Sequence, residues 1–182
     1  MLLDTEIFYF FNLLPHSGML NTVALWIHYA TRYGLIYYPF LLVLLISKNK
    51  QRALLGKSLA FSAAGTYILT DFIIKNIAQR PRPYQALSEV VFLPPAPNSY
   101  SFPSGQAAVA YALATIIWLR YPRTIYGYSA YALAALVAVD RMYMGHHYFF
   151  DVLVGGLIGI ACSYAIHYFS LKYKKPPRNG GF

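Results

Sequence analysis

The sequence is short of the residues that build disulfides and metal centres. It contains one cysteine, Cys162, inside an apolar run, which excludes an intramolecular disulfide and a cysteine-based metal site. Only six of its 182 residues are aspartate or glutamate, so a carboxylate-rich metal site is disfavoured as well. Neither a pair of redox-active thiols nor a metal cluster is therefore expected.

Charged residues are also scarce, at 12% of the chain, whereas 58% of the residues are hydrophobic and the mean hydropathy is +0.42. A water-soluble domain rarely has such a composition, so lipid is the expected solvent. The net charge of +9 could indicate nucleic-acid binding, but the basic residues form short clusters between apolar runs, as in loops that flank membrane spans. We therefore expect no nucleic-acid partner.

The start of the chain lacks the basic segment and the cleavage site of a secretory signal, and it carries Asp4 and Glu6 instead. No cleaved targeting segment is expected. The aromatic run at 7–11 predicts a short amphipathic helix at the membrane surface. The alternative is a first membrane span, for which this apolar run is short.

Five longer apolar stretches follow, at 20–46, 58–74, 102–119, 125–139 and 149–169. The last four approach the roughly 20 residues that cross a bilayer as a helix. The first is interrupted at Arg32, Tyr33 and Gly34 and could form two segments. The pattern predicts an all-α integral membrane protein, a compact bundle of five or six transmembrane helices with an N-terminal interfacial helix. We expect one membrane-embedded domain at 1–175 and a disordered cytoplasmic tail at 176–182.

Basic residues between these stretches predict the orientation of the bundle. Those in alternate loops and at the end of the chain fall on one side, which the positive-inside rule identifies as cytoplasmic. They are Lys48, Lys50, Arg52, Lys57, Arg120, Arg123, Lys172, Lys174, Lys175 and Arg178. Lys75, Arg80, Arg82 and Arg141 then share the opposite face. Because these four oppose the charge bias, we expect them to bind an anion.

The first segment on that face is K-N-I-A-Q-R-P-R-P at 75–83. Pro81 and Pro83 cannot continue a helix and should hold Arg82 in an extended turn, so that Lys75 and Arg82 could face one point. The simpler alternative is that Lys75 only reaches towards lipid headgroups.

The second segment is S-F-P-S-G-Q at 101–106. It should open a helix, with Pro103 in the first turn and Ser101 or Ser104 capping the free backbone N–H groups. Free N–H groups and the positive end of a helix dipole together form an anion site. A capped helix start without a ligand is the alternative.

The third segment is R-M-Y-M-G-H-H-Y-F-F-D at 141–151. If a helix has begun by His147, the carboxylate of Asp151 lies one turn away, where it orients the ring, fixes its tautomer and raises its basicity. Such a histidine can attack phosphorus and carry it as a phosphohistidine. The alternatives are a structural polar pair and a metal pair that includes His146. Metal is disfavoured because only Asp140 and Asp151 are near.

Taken together, the three segments resemble the signature of the type-2 phosphatidic acid phosphatase family. The matching positions are Lys75, Arg82 and Pro83, then Pro103, Ser104 and Gly105, then Arg141, His147 and Asp151. The similarity runs from about 58 to about 165, and the opening at 5–46 is similar to the bacterial undecaprenyl-diphosphatases. Each motif alone is weak, whereas three in order on one predicted face are strong.

The resemblance implies a role for each matching position. The phosphate oxygens would be held by Lys75, Arg82, Arg141, Ser104 and the backbone of Gly105. His147 would be the nucleophile, and Asp151 its orienting partner. The resemblance also implies a reaction that needs no metal or other cofactor, in keeping with the few carboxylates. Arg80 is an auxiliary candidate.

Two positions depart from the family pattern. The family usually has a histidine after Ser-Gly, as the acid that protonates the leaving oxygen, where this chain has Gln106, and it often has serine where Asp140 stands. Glutamine can donate a hydrogen bond but exchanges no proton near neutral pH. Three explanations remain open. The chain is an inactivated variant, or an active enzyme whose phosphate leaving group departs unprotonated or takes its proton from His146 or Asp140, or an inactive lipid-binding protein.

We expect a membrane lipid phosphatase that converts a polyprenyl diphosphate, such as undecaprenyl diphosphate, to the monophosphate. The expected location is the inner membrane, with the active site on the periplasmic or extracytoplasmic face. The alternatives are a phosphatase for phosphatidylglycerol phosphate or lipid A phosphate, a phosphotransferase, and a non-catalytic phospholipid-binding protein. The loop at 84–100 and the segment at 1–34 are expected to select the lipid. The sequence contains no signal from which the oligomeric state could be predicted.

Overall fold

The computed structural model describes residues 2–32 and 35–172, and within these ranges it contains helices and no strand. The predicted tail at 176–182 and the basic residues from Lys174 onward lie outside the described residues. The helices are α1 Leu2–Asn12, α2 Gly18–Arg32, α3 Tyr37–Leu45, α4 Lys50–Tyr67, α5 Lys75–Ala78, α6 Pro83–Ala86, α7 Gly105–Arg120, α8 Ile125–Tyr143 and α9 Phe149–Lys172, with a π-helical segment, Ile68–Ile74, between α4 and α5.

Helix α7 lies at the centre of the bundle and packs against α4, α8 and α9. Its buried face is largely alanine, which lets neighbouring helices approach closely. On α9, Gly155 faces the start of α7, where an added Cβ would stand 2.5 Å from the carbonyl oxygen of Ser104. Within this apolar bundle the hydroxyls of Ser62 and Ser163 lie 2.5 Å apart and link α4 to α9. Small residues and a buried polar contact therefore hold the central helices together.

The predicted apolar stretches correspond to the helices with shifted ends. The stretch at 20–46 forms two helices, α2 and α3, and residues 33 and 34 of its interruption lie outside the described part. The stretch at 58–74 begins earlier, at Lys50, because the Asn49 side chain caps α4 by accepting from the N–H groups of Gln51 and Arg52. Of the described helices, Phe149–Ser170 is the one long and apolar enough to cross a membrane. The number of five or six spans therefore stays a prediction.

Helix α1 is longer than the aromatic run that predicted it, and it packs against α8 and α9. Phe8 and Asn12 on its inner face are fully buried. The Asn12 amide donates to the carbonyl oxygens of Val91 and Tyr143, at 2.8 and 3.0 Å, and accepts from the Val91 N–H. Since a buried amide is stabilised by such pairing, α1 is fixed to the end of the bundle where α8 ends and α9 begins.

Two helix starts differ in detail from the expectation. Helix α7 begins at Gly105, so Pro103 lies before its first turn, and Ser104 occupies the N-cap position without a side-chain capping bond. The Ser101 hydroxyl bonds to Asp151 instead. Helix α9 begins at Phe149, so His147 precedes the helix that carries Asp151.

Candidate active site

The three motif segments meet at one end of the bundle. Nη1 of Arg82, from the first segment, lies 3.1 Å from Nε2 of His147, in the third. The Ser101 hydroxyl, in the second, donates to Asp151 Oδ2 at 2.5 Å. The opposite end is marked by Arg120, at the end of α7, which donates to Gln51 at the start of α4. Residues far apart in sequence therefore form one polar cluster.

Arg82 is held in place by the loop that precedes α7. Its backbone is extended, as the flanking prolines predict, and the residue is only 2% exposed. Its guanidinium donates to Ser99 and to the carbonyl oxygens of Tyr100 and His146. Burial lowers the pKa of Arg82 to about 10, so the group remains charged at neutral pH. A rigid, dehydrated cation thus stands beside the ring of His147.

The contact with Arg82 fixes the tautomer of His147. A guanidinium can only donate, so Nε2 of His147 must be the acceptor and the ring proton lies on Nδ1. Nδ1 faces Asp151 Oδ2 at 3.6 Å, beyond hydrogen-bond distance, and has no other partner. Burial, and then the charge of Arg82, lowers the pKa of His147 well below its usual range. The ring is therefore neutral, with a lone pair on Nε2.

Asp151 is fully buried and receives several donors. Besides the Ser101 hydroxyl, the Tyr148 N–H donates to Oδ2 at 2.9 Å and Arg80 Nη1 donates to Oδ1 at 2.7 Å. The Asp151 carbonyl oxygen accepts from the Ser104 N–H at 2.9 Å, which joins the start of α7 to α9. The carboxylate that faces His147 is therefore fixed from several sides.

The Arg80 guanidinium pairs with two carboxylates, so it is not available to a ligand beside His147. Its Nη2 donates to Asp4 Oδ2 at 2.6 Å, and its guanidinium stacks on the Tyr148 ring at 3.7 Å from the ring centroid. Asp4 Oδ1 in turn accepts from the N–H of Phe150, in the first turn of α9, at 2.7 Å. Sequence reasoning missed Asp4 as part of the site. Its only signal was a carboxylate in a chain with few of them.

Lys75 is buried, at 4% exposure, and its ammonium pairs with Asp71 one turn earlier. This excludes the simpler alternative, in which Lys75 only reaches to the surface. Asp71 lies in the π-helical segment and so close to Gly105 that a Cβ there would collide with its carboxylate. Sequence reasoning missed Asp71, although an acid four residues before a lysine inside an apolar stretch is a recognisable signal. Local π-helix is frequent at functional sites.

Arg141 is fully buried at the end of α8. Its Nη1 donates to Gln106 Oε1 at 2.5 Å and to His28 Nδ1 at 2.6 Å, and its Nη2 pairs with Asp140. Gln106 also donates through Nε2 to the Thr31 hydroxyl at 3.0 Å, so both ends of its amide are engaged. Asp140 is therefore the carboxylate partner of Arg141, and Gln106 links α7 to α2 through its bond to Thr31.

The remaining candidates differ in their freedom to bind a ligand. His146 Nε2 lies 2.9 Å from the Leu93 carbonyl oxygen, and burial and the charge of Arg141 lower the pKa of His146. The ring is therefore neutral and donates to the loop. The Ser104 hydroxyl is buried without a partner, beside the backbone of Gly105. Of the described residues, no group of three or more His, Cys, Asp or Glu is placed to hold a metal ion.

The chain is similar in sequence to two curated proteins. It is 29% identical over 133 residues to an undecaprenyl-diphosphatase of Sulfolobus acidocaldarius, and this match covers 72% of the chain and 63% of the relative. The chain thus spans less than two thirds of that relative's length. It is 25% identical over 157 residues to the undecaprenyl-diphosphatase BcrC of Bacillus subtilis, covering 85% of the chain and 77% of the relative.

Two solved structures have the same fold. LpxE of Aquifex aeolicus superposes with a TM-score of 0.77 at 30% identity, over 94% of this chain and 96% of that one. A transmembrane PAP2-type phosphatidylglycerolphosphate phosphatase of Bacillus subtilis superposes with a TM-score of 0.75 at 21% identity, over 94% and 86%.

A family model described as the PAP2 superfamily matches residues 55–175, which include all three motif segments. This confirms the resemblance seen in the motifs. The chain belongs to the PAP2 superfamily, whose phosphatases are hydrolases that act on lipid phosphates.

Proposed function

We propose that this protein is a membrane phosphatase that hydrolyses a polyprenyl diphosphate to the monophosphate through a phosphohistidine on His147. The observation that carries the proposal is the neutral ring of His147 beside the buried guanidinium of Arg82, with Lys75 and Arg141 in the same cluster. A neutral nucleophile with a lone pair and several buried cations are the groups that phosphoryl transfer requires.

In the first step, a phosphate oxygen displaces His147 Nε2 as the acceptor of Arg82, because charged acceptors form the stronger hydrogen bond. The freed lone pair attacks phosphorus, the bond from phosphorus to the leaving oxygen breaks, and that oxygen keeps both electrons. The Nδ1–H of His147 forms a hydrogen bond to Asp151, and the carboxylate stabilises the positive charge that develops on the ring. The product of this step is a phosphohistidine and a released lipid monophosphate.

In the second step, water attacks the phosphorus of the phosphohistidine. The bond from phosphorus to Nε2 breaks, its electrons return to the ring, and the water gives up one proton to the released phosphate. Lys75, Arg82 and Arg141 balance the charge on the phosphate oxygens in both steps. Each of these cations is buried, so its interaction with the transferring group is stronger than it would be in water.

The names of the two curated relatives support a polyprenyl diphosphate as the substrate. The leaving group of a diphosphate is itself a phosphate, which departs more readily without a proton than an alcohol does, and this fits glutamine at position 106. An apolar groove beside the site supports the proposal that the substrate carries a lipid tail. It is lined by Phe11, Tyr111, Met142, Phe149, Val152 and Leu157.

We place the bundle in the inner membrane, with the site on the extracytoplasmic side. The support is the distribution of basic residues, since Lys50, Arg52 and Arg120 lie at the end of the bundle opposite the site. The four basic residues at the site end then bind the substrate phosphate or pair with a carboxylate of the protein. They do not determine the orientation of the bundle in the membrane.

The experiment that tests the function is an assay of the purified protein in detergent with a chelator present. The panel contains undecaprenyl diphosphate, undecaprenyl monophosphate, phosphatidylglycerol phosphate and a lipid A phosphate. We expect phosphate release from undecaprenyl diphosphate and an acid-labile phosphohistidine after brief mixing with labelled substrate. Release from only phosphatidylglycerol phosphate or lipid A phosphate would support one of the alternative substrates. The absence of both release and labelling would support a non-catalytic lipid-binding protein.

Asp4 is expected to help to position His147 and Asp151 through its contacts with Arg80 and with the first turn of α9. Asp4→Asn weakens the contact with Arg80 and the cap on α9, so we expect kcat to fall about 10-fold with little change in KM, since the affected donor bonds are each worth about 1–3 kcal/mol. Steady-state kinetics with undecaprenyl diphosphate measure kcat and KM separately. The matched control is Glu6→Gln, because Glu6 is an exposed acid on the same helix. Equal rates for the two variants would contradict the positioning role.

A further inference from the structure

His28 has no role in the family signature or in the mechanism above. It lies in α2, it is fully buried, and its Nδ1 lies 2.6 Å from Arg141 Nη1. Because the guanidinium can only donate, Nδ1 is the acceptor and the ring proton is on Nε2. This Nε2–H is buried without a partner. A buried donor left unpaired is unfavourable, so a group that accepts from it during the reaction is expected.

The neighbourhood of His28 connects it to position 106. Arg141 Nη1 contacts both His28 and the oxygen of Gln106. The amide nitrogen of Gln106 donates to Thr31, which lies on α2 one turn after His28. One of the two amide hydrogens of Gln106 is thus held by Thr31. The buried donor without any partner next to the same arginine is His28 Nε2–H.

Four of the five unpaired buried atoms in the described part of the chain belong to this cluster. They are His28 Nε2, Ser104 Oγ, Arg141 Nε and His147 Nδ1, and the fifth is Thr66 Oγ1 in α4. Such a concentration is typical of a site that completes its hydrogen bonds with a ligand. The mechanism above gives Arg141 and His147 their partners, and the family resemblance assigns Ser104 to a phosphate oxygen. His28 is the member still without one.

We propose that His28 donates its Nε2–H to the leaving oxygen of the substrate, in place of the histidine that the family pattern has after Ser-Gly. The inference rests on the proposed function and deepens it. As the bond from phosphorus breaks, its electron pair stays on the leaving oxygen, and the hydrogen bond from His28 stabilises the negative charge there. His28 keeps its proton throughout, and an alcohol product takes its proton from water.

This role makes the identity of the leaving group the basis of substrate choice. A phosphate ester leaves as a stable anion, for which a hydrogen bond is enough, whereas an alkoxide requires a proton that neither His28 nor Gln106 supplies. The site should therefore favour diphosphates over monophosphates of the same lipid. The glutamine at position 106 is then a feature of specificity and not a loss of function.

Two aryl phosphates that differ in leaving group test the role directly. For His28→Ala we expect kcat/KM for phenyl phosphate to fall about 10²-fold, the effect of removing one donor to a developing charge, and that for p-nitrophenyl phosphate to fall by less than about 3-fold, because nitrophenolate delocalises its charge. His28→Gln keeps an N–H donor and should recover part of the loss. His28→Met fills the volume without a donor and is the second donor-free variant.

The matched control is His16→Ala. His16 is a structural histidine in the segment before α2, with both ring nitrogens hydrogen-bonded and its ring stacked on Tyr143. Its loss should slow both esters equally. Equal slowing of both esters in the donor-free variants of His28 would overturn the inference and leave the proposed function intact. A parent protein that hydrolyses neither the esters nor any lipid of the panel would contradict both.

Discussion

Replacing His147 by alanine is expected to lower phosphate release by about 10⁴-fold or more, because this removes the group that bonds to phosphorus. The neighbouring imidazoles are less suited to the attack. His146 donates its Nε2–H to the Leu93 carbonyl oxygen, and the Nδ1 acceptor of His28 is bonded to Arg141. Neither ring faces a carboxylate as His147 faces Asp151. Single-turnover assays with labelled undecaprenyl diphosphate should show neither release nor a phosphohistidine.

The control for this variant is His167→Ala, since His167 lies on α9 towards the end of the bundle opposite the site. It should retain the parent rate. Thermal unfolding in detergent shows whether each variant folds. A folded His147→Ala protein that releases phosphate at the parent rate would remove the nucleophile assignment.

Much of the site could be predicted because its local geometry follows from neighbouring residues. Pro81 and Pro83 impose the extended backbone at Arg82 whatever the rest of the chain does. The five apolar stretches predict helices because an apolar run in a lipid environment must satisfy its own backbone hydrogen bonds. These features depend on residues close together in sequence, so a single sequence reveals them.

The contacts that sequence reasoning missed join residues far apart in the chain. Asp4 reaches Arg80 across more than seventy residues, and Arg141 reaches His28 across more than a hundred. No local pattern encodes such a pairing, because it depends on where α1 and α2 pack against the ends of α8 and α9. The same reasoning explains the error at Ser101, whose hydroxyl prefers a buried carboxylate on another helix to a backbone N–H nearby.

These long-range contacts change the meaning of the departures from the family pattern. Asp140 pairs with Arg141, and Gln106 bonds to Arg141 and to Thr31, so both unusual residues act on the same buried arginine. An arginine held by a carboxylate and an amide oxygen is already oriented before phosphate arrives. Orienting a cation in advance lowers the reorganisation that the reaction requires.

Asp151→Asn is expected to lower kcat by about 10³-fold to 10⁴-fold with a smaller change in KM, because the neutral amide no longer stabilises the positive charge that develops on the His147 ring. In the parent protein Asp151 accepts from Ser101, Tyr148 and Arg80 and faces Nδ1 of His147. An asparagine offers one acceptor oxygen in place of two and presents an N–H to these donors. The rate of phosphohistidine formation in a single turnover measures the effect.

The comparison that separates orientation from stability is Asp151→Asn against Asp4→Asn. Both variants replace a buried acid that pairs with Arg80, but only Asp151 faces the ring of His147. If the carboxylate orients the ring and stabilises its positive charge, the loss in kcat at Asp151 should exceed the loss at Asp4 by about 10²-fold at equal thermal stability, which is the scale of removing the aspartate that supports a catalytic histidine. Equal losses would show that Arg80, and not the pairing of Asp151 with His147, is what the reaction depends on.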